Sequence, residues 1–163
     1  MYKELVSNIR IVKKPERTLA FVGNKGPYMG DQALFERLFS KVIRWARRHD
    51  LMKPDLEAIS IYHDDPDTTA PRNQRISVGI TVPKGTKPDG EVGVMEIPAG
   101  DFAVGSFEIF PDEYCNCWRE VMDWIRDSGL EAVPGPMYES YRNDPDTHPM
   151  GKHVVDICIP VGN

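Results

Sequence analysis

The first half of the chain alternates short apolar runs with one long amphipathic segment. Residues 19–22 and 58–62 are short apolar stretches, and residues 76–82 alternate apolar and polar side chains, so all three are predicted as strands. Asp31 follows a glycine and is a favourable N-cap, which predicts a helix over residues 32–49. The apolar side chains of that helix recur at helical spacing, at Leu34, Phe35, Leu38, Phe39, Val42 and Trp45.

The second half repeats this order of elements. Residues 102–109 are predicted as a strand, and Pro111 opens a helix with acidic residues in its first turn, at the positive end of the helix dipole. Gly129 ends that helix as a C′ residue, and residues 137–142 and 153–161 follow as strands. The apolar stripe of this helix consists of Tyr114, Cys117, Trp118, Val121, Met122 and Ile125.

An internal repeat relates the two halves. The tetrapeptide Asp-Pro-Asp-Thr at residues 65–68 recurs at residues 144–147, at an offset of 79, and most other elements match at nearly the same offset. The half-repeats run from about residue 11 to 83 and from about 91 to 161, and each half has the order strand, helix, strand, strand.

One such half is too small to close a core alone, so we expect residues 1–163 to form a single domain. The predicted fold is α+β, a tandem βαββ repeat with pseudo-twofold symmetry. Its antiparallel sheets would carry the two main helices on one side and a ligand cleft on the other. Residues 91–97 form either an extra strand or a hairpin partner of the strand at residues 102–109.

Composition and charge narrow the function classes. Of the 163 residues 40% are apolar and the formal net charge is −5. The one dense basic cluster, at residues 44–49, resembles a solvated helix face, so direct nucleic acid binding is not expected. No apolar run is long enough for a membrane span and no secretory signal is recognisable, which predicts a cytoplasmic protein. The odd number of cysteines predicts reduced thiols, and no metal site or cofactor is predicted.

A glutamate among aromatic residues is the most suggestive constellation in the sequence. Strand alternation sends Ile59 and Ile61 to the core and places Ser60 and Tyr62 on the other face of the sheet. At the repeat offset, the matching face of the later strand carries Met137, Glu139 and Tyr141. A carboxylate withdrawn from water attracts a cation, and aromatic faces add cation–π attraction of roughly 0.5 to 2 kcal/mol each. The alternative is that Glu139 is a solvated residue on an exposed face.

The order of elements, the matched halves and three motifs together resemble the GyrI-like family. The motifs are YHDDP at residues 62–66, PMYESY at 136–141 and HVVDICIPV at 153–161, and the resemblance covers residues 11–161 approximately. This family, gyrase-inhibitor-like small-molecule-binding domains, also supplies the effector-binding part of AraC-type and MerR-type regulators. The chain resembles a stand-alone member, because the domain fills it and leaves no room for a helix-turn-helix.

The resemblance implies that Glu139 is the carboxylate partner of the ligand and that Tyr28, Tyr62, Tyr141 and Trp118 line the cleft. Two of these assignments have alternatives in the sequence itself. Trp118 lies on the apolar helix stripe and is by default a core residue, and Tyr28 lies on a loop after a strand, where either role is open.

Three functions follow from this interpretation. The first is binding of lipophilic, cationic small molecules, xenobiotics or metabolites, for sequestration or sensing. The second is hydrolysis of reactive electrophiles, with Glu139 and Tyr141 as catalytic residues. The third is a protein interaction like that of the gyrase inhibitors, with DNA gyrase as a candidate partner. Both a monomer and a dimer are compatible with the sequence.

Overall fold

The structure is a computed structural model that describes residues 7–162. It contains two helices, eight strands of five to ten residues and one two-residue strand. In chain order these elements are β1 (Ser7–Lys14), β2 (Arg17–Lys25), α1 (Gln32–Arg48), β3 (Ala58–Tyr62), β4 (Arg75–Val82), β5 (Gly93–Ile97), β6 (Gly100–Ile109), α2 (Tyr114–Asp127), β7 (Glu131–Ala132), β8 (Met137–Tyr141) and β9 (His153–Gly162).

The chain divides into two compact units. Of the described residues, the central unit comprises 16–98, and the terminal unit comprises 7–15 together with 99–162. In the central unit, the antiparallel strands are ordered β3, β4, β2, β5, and α1 packs on them. In the terminal unit, the order is β1, β6, β9, β8, with β7 also paired to β9, and α2 packs on the sheet.

The predicted α+β class, with antiparallel sheets and one main helix in each half, is confirmed. Both units contain the order strand, helix, strand, strand, and the two Asp-Pro-Asp turns are alike: Asp65 Oδ1 accepts from Asp67 N at 2.8 Å, and Asp144 Oδ1 accepts from Asp146 N at 3.0 Å. Of the two alternatives for residues 91–97, the extra strand is found, because β5 pairs with β2. The sequence analysis did not identify β1, which pairs with β6.

In the central unit, the apolar stripe of α1 packs against β2 and β4. Asp31 caps the helix as predicted, since its Oδ1 accepts a hydrogen bond from Leu34 N at 3.1 Å. The strands contribute side chains that point towards α1 at every second position. The buried residues of this core include Leu34, Leu38, Val42, Trp45, Ala20, Val22, Ile76, Val78 and Ile80.

In the terminal unit, a glycine allows α2 to approach the sheet closely. Cys117, Val121 and Ile125 are the buried residues of the helix. A Cβ atom on Gly105 of β6 would lie 2.6 Å from Val121 Cγ2 and 2.7 Å from Phe107 Cε2, so only glycine fits without displacing its neighbours. Gly129 follows the C-cap Ser128 of α2 and has a positive φ of 75°, as its predicted C′ role requires.

Gly105→Ala is therefore expected to lower the free energy of unfolding by about 1–3 kcal/mol, because the added methyl group overpacks the contact between helix and sheet. Urea denaturation followed by circular dichroism measures the change. Gly100→Ala is the matched control, since a Cβ there meets no atom within 4 Å. Equal midpoints for the two variants would show that Gly105 is not needed for close packing.

The prediction that Ser60 and Tyr62 lie on the side of the sheet opposite the helix is wrong. Ser60 is paired with Val78, and Tyr62 is paired with Ile76; both partners belong to the core under α1, so Ser60 and Tyr62 point towards the helix. Ile61, between them, and Ile59, just before Ser60, are buried on the opposite side. The physical reason is that both faces of β3 carry buried side chains, so polarity alone does not identify the face that the helix covers.

Candidate functional site

Side chains from α2 and β8 meet at the carboxylate of Glu139. Trp118 of α2 donates its indole Nε1–H to Glu139 Oε2 at 2.7 Å. Tyr141, two residues further along β8, donates its hydroxyl to Glu139 Oε1 at 2.6 Å. Glu139 is only 3% exposed, which excludes the alternative of a solvated residue. We call these three residues the Glu139 cluster.

Local structure explains how these residues come together. Met137, Glu139 and Tyr141 share one face of β8 because strand side chains alternate, as the sequence predicts. Glu139 is paired with Ile157 of β9, which belongs to the core under α2, so this face points towards the helix. The expectation that Glu139 lies on the side opposite the helices is therefore wrong, because its carboxylate bonds a side chain of α2.

Trp118 has the core position that is one of the two roles left open by the sequence, and its role as a pocket wall stays a prediction. Its ring is half-buried and packs against the core under α2, and its N–H binds the carboxylate. Met137 and Tyr141 are likewise half-buried against the same core. The Glu139 cluster thus places a buried carboxylate behind side chains that are partly open to solvent.

The electrostatic environment of the cluster is negative. Trp118 and Tyr141, which donate to Glu139, are uncharged side chains, so their hydrogen bonds stabilise the carboxylate without adding a positive charge. The pKa of Tyr114 is raised, first by burial and then by the charge of Glu139. Burial, with Glu120, Glu113 and Glu139, raises the pKa of Cys117 to about 12. The carboxylates of Glu113, Glu120 and Glu139 thus disfavour further negative charge on Cys117.

Sequence reasoning missed a second pair beside this cluster. The hydroxyl of Tyr114 lies 2.6 Å from His153 Nδ1, and their rings are 5.6 Å apart in an edge-on arrangement. Burial lowers the pKa of His153, which favours the neutral ring as acceptor of the tyrosine proton. Tyr114 was visible in the sequence only as part of the apolar stripe of α2, and nothing linked it to a residue 39 positions away.

The cysteines provide a test of this environment. Cys117 is buried with a pKa of about 12, and Cys158 is buried, whereas Cys115 is exposed. Because the thiolate is the reactive form, we expect iodoacetamide at pH 8 to alkylate Cys115 well before the other two thiols. Peptide mass spectrometry over a time course measures the order. Modification of Cys117 at the rate of Cys115 would contradict the buried, negative environment.

The remaining residues predicted for the site lie in the central unit. Tyr28 is buried in the core under α1, with its ring centroid 5.4 Å from that of Tyr62 and 6.3 Å from that of Phe35. Ser60 is fully buried, and Tyr62 is half-buried beside the same core. The structure thus brings Tyr28 and Tyr62 into contact with each other, and their role towards a ligand stays a prediction.

Within residues 7–162, no helix combines the length and the apolar character needed to cross a membrane.

Comparisons with known proteins agree with this architecture. The chain is 27% identical over 158 residues to a DNA gyrase inhibitor from Erwinia billingiae, a match covering 94% of this chain and 97% of the relative. Its fold is similar to that of the EcmrR C-terminal domain, with a TM-score of 0.82 and 17% identity over 98% of this chain and 99% of the other. It is also similar to SAV2435 bound to tetraphenylphosphonium, with a TM-score of 0.62 and 14% identity over 96% and 94% of the two chains.

A family model extends across almost all of the described chain. The family of GyrI-like small molecule binding domains matches residues 7–162, which include both units and every residue of the Glu139 cluster. The strand, helix, strand, strand order within each unit and the glutamate on β8 agree with the resemblance seen in the sequence. This chain belongs to the family of GyrI-like small molecule binding domains.

Proposed function

We propose that this domain binds lipophilic cations at the Glu139 cluster, for sequestration or sensing of xenobiotics or metabolites. The observation that carries the proposal is the buried carboxylate of Glu139, which is held by the uncharged donors Trp118 and Tyr141. The hydrogen bonds from Trp118 and Tyr141 orient the carboxylate, and its negative charge would attract a ligand cation.

Burial strengthens such an interaction. Removing a carboxylate from water costs free energy, and an oppositely charged group recovers part of that cost in a medium of low dielectric constant. The half-buried rings of Trp118 and Tyr141 supply apolar surface and cation–π attraction of about 0.5–2 kcal/mol each. A cation with apolar substituents uses both contributions, whereas a hydrated inorganic cation uses only the first.

The comparisons support the same ligand class. SAV2435, whose fold is similar, is a protein seen with tetraphenylphosphonium, a lipophilic cation. We further propose that Met137, which shares one face of β8 with Glu139 and Tyr141, contacts the ligand. The ligand contacts that the family resemblance implies for Tyr28 and Tyr62, and that strand alternation predicts for Ser60, stay predictions for the central unit.

Calorimetric titration with tetraphenylphosphonium and with neutral triphenylphosphine oxide tests the proposal. We expect a dissociation constant on the order of 1 μM for the cation, about 8 kcal/mol of binding free energy, and at least about tenfold weaker binding of the neutral molecule. Equal affinities would show that the carboxylate does not select the ligand charge. No binding of either molecule to folded protein would refute the proposed ligand class.

A protein interaction is the second candidate function. It is favoured by the similarity to the DNA gyrase inhibitor of Erwinia billingiae along nearly the full length of both chains. An inhibition assay of gyrase supercoiling distinguishes the two functions. Inhibition that is unaffected by Glu139→Gln would assign a gyrase interaction to a surface other than the Glu139 cluster.

Hydrolysis is a third candidate, favoured by the hydrogen bond between Tyr141 and Glu139. The Glu139 carboxylate accepts a hydrogen bond from the Tyr141 hydroxyl, with 2.6 Å between the two oxygens. Such a carboxylate can orient water or act as a general base, with the hydroxyl as proton donor. Chromatography of reactive electrophiles incubated with the protein measures turnover. Loss of turnover in both Glu139→Gln and Tyr141→Phe would support the catalytic roles, and retention in both would exclude them.

A further inference from the structure

A depression in the central unit is lined by basic and hydroxyl side chains, unlike the acidic Glu139 cluster. Its volume is about 420 Å³, and its lining includes Lys25, His63, Arg75, Ser77 and Gly23. Arg75 and Ser77 alternate with Ile76 and Val78, which belong to the core under α1, so the depression lies on the side of this sheet opposite α1. A water molecule occupies roughly 30 Å³ of liquid, so an organic ion fits this volume.

In the terminal unit, a carboxylate side chain lies at the position equivalent to this depression. In the central unit, β2 and β4 pair Gly23 with Ser77; in the terminal unit, β6 and β9 pair Ser106 with Asp156. Asp156 is 4% exposed. Its carboxylate accepts from Ser106 Oγ at 2.7 Å and from Arg142 Nη1 at 2.8 Å. A carboxylate thus completes the polar group in this unit.

The central unit lacks that carboxylate. Ser77 stands in the place of Asp156, and His63 stands in the place of Arg142, with His63 Nε2 at 2.7 Å from Ser77 Oγ. Gly23 replaces Ser106, and a Cβ atom there would meet only the carbonyl oxygen of Ile76, at 3.8 Å. The smaller side chains leave space where the other unit has the carboxylate.

The central unit also has more positive charge at this position than the terminal unit. In the terminal unit, the position paired with Val154 is Glu108, whose carboxylate lies 3.0 Å from His148 Nε2. Asp156 pairs with Arg142, and Arg10 donates to Ser106 Oγ. The equivalent pair in the central unit is Lys25 with Arg75.

The carboxylate of Asp64 offsets one of these two cations. Asp64 accepts from Arg75 Nε at 3.0 Å and from Arg75 Nη2 at 2.8 Å, so Lys25 and Arg75 against Asp64 leave one net positive charge. Among the described strands, β5 pairs with β2 only as far as Phe21, so Gly23 and Lys25 lie at an uncovered sheet edge. An anion can approach them directly.

We propose that this depression binds a small organic carboxylate, whose carboxylate group takes the place that the Asp156 side chain has in the terminal unit. His63 Nε2–H donates to Ser77 Oγ, which leaves the Ser77 hydroxyl to donate to the carboxylate; Lys25 supplies the charge, and Arg75 lines the rim. This site is independent of the proposed lipophilic-cation function, since ligands of opposite charge occupy the two units.

Two-dimensional amide NMR titration of the full chain with acetate, succinate and neutral acetamide tests the site. We expect saturable shifts of the amides at residues 23–25 and 75–77 with the two carboxylates, at a dissociation constant on the order of 1 mM, and no saturation with acetamide. Phosphate is the comparison oxyanion. Equal or tighter binding of phosphate, or shifts that do not saturate with acetate and succinate, would overturn the proposal.

Charge variants separate a built site from general attraction. Lys25→Glu restores the acidic residue found at this position in the terminal unit and is expected to weaken acetate binding at least about tenfold. Ser77→Asp supplies a tethered carboxylate and is expected to abolish binding. Lys87→Glu is the control, since this exposed lysine lies outside the depression, and it should leave the affinity unchanged. Equal weakening by Lys87→Glu and Lys25→Glu would overturn the proposal.

Discussion

Glu139→Gln is expected to weaken tetraphenylphosphonium binding at least about 30-fold, about 2 kcal/mol at room temperature. Glutamine has nearly the same shape, and its amide oxygen still accepts from one of the two donors, Trp118 or Tyr141. The variant therefore removes the charge and keeps most of the packing. Isothermal titration calorimetry of both proteins under the same salt conditions measures the difference.

The control for this variant removes a carboxylate elsewhere. Glu131 of β7 is exposed, so Glu131→Gln changes the net charge equally without touching the cluster and should bind the cation as the original chain does. Binding of neutral triphenylphosphine oxide should be the same in all three proteins. If Glu131→Gln weakened cation binding as much as Glu139→Gln, attraction by the whole protein would explain the affinity.

Trp118→Phe is expected to lower the free energy of unfolding by about 1–3 kcal/mol. Phenylalanine keeps an aromatic ring against the core under α2 but removes the Nε1–H that binds Glu139 Oε2 at 2.7 Å. A buried carboxylate that loses a charge-assisted hydrogen bond retains its desolvation cost. Urea denaturation at neutral pH measures the change.

A double-mutant cycle attributes this loss to the hydrogen bond. Made in the Glu139→Gln background, Trp118→Phe should lower the free energy of unfolding by less, because a hydrogen bond to a neutral amide contributes less than one to a carboxylate. Trp124→Phe is the matched control on the same helix, where the indole is half-buried and outside the cluster. Additive effects of Trp118→Phe and Glu139→Gln would contradict an energetic link between the two residues.

The residues of the Glu139 cluster could be predicted, but the side of the sheet could not. Period-two alternation places Glu139 and Tyr141 on one face whatever the rest of the chain does. Which face the helix covers depends on the burial of both sides. Tyr138 and Ile59 are fully buried on the side away from the helix of their own unit, so the apolar residues did not mark the helix side.

Contacts between distant segments were the least predictable features. Tyr114 and His153 meet because α2 packs on β9, and neither residue type nor spacing in the sequence encodes that packing. The first strand was recognisable in principle, because Ile9 and Ile11 alternate with polar residues, but its partner β6 lies about ninety residues later. Helix α1, with its cap at Asp31 and its regular apolar stripe, was predicted to within one residue at its end.

A crystal structure of the complex with tetraphenylphosphonium tests the central claim most directly. We predict that the phosphonium centre lies beside the Glu139 carboxylate, with its phenyl groups against Trp118 and Tyr141. A ligand bound elsewhere on the chain, with no atom near the Glu139 carboxylate and with the hydrogen bonds from Trp118 and Tyr141 unchanged, would contradict the account.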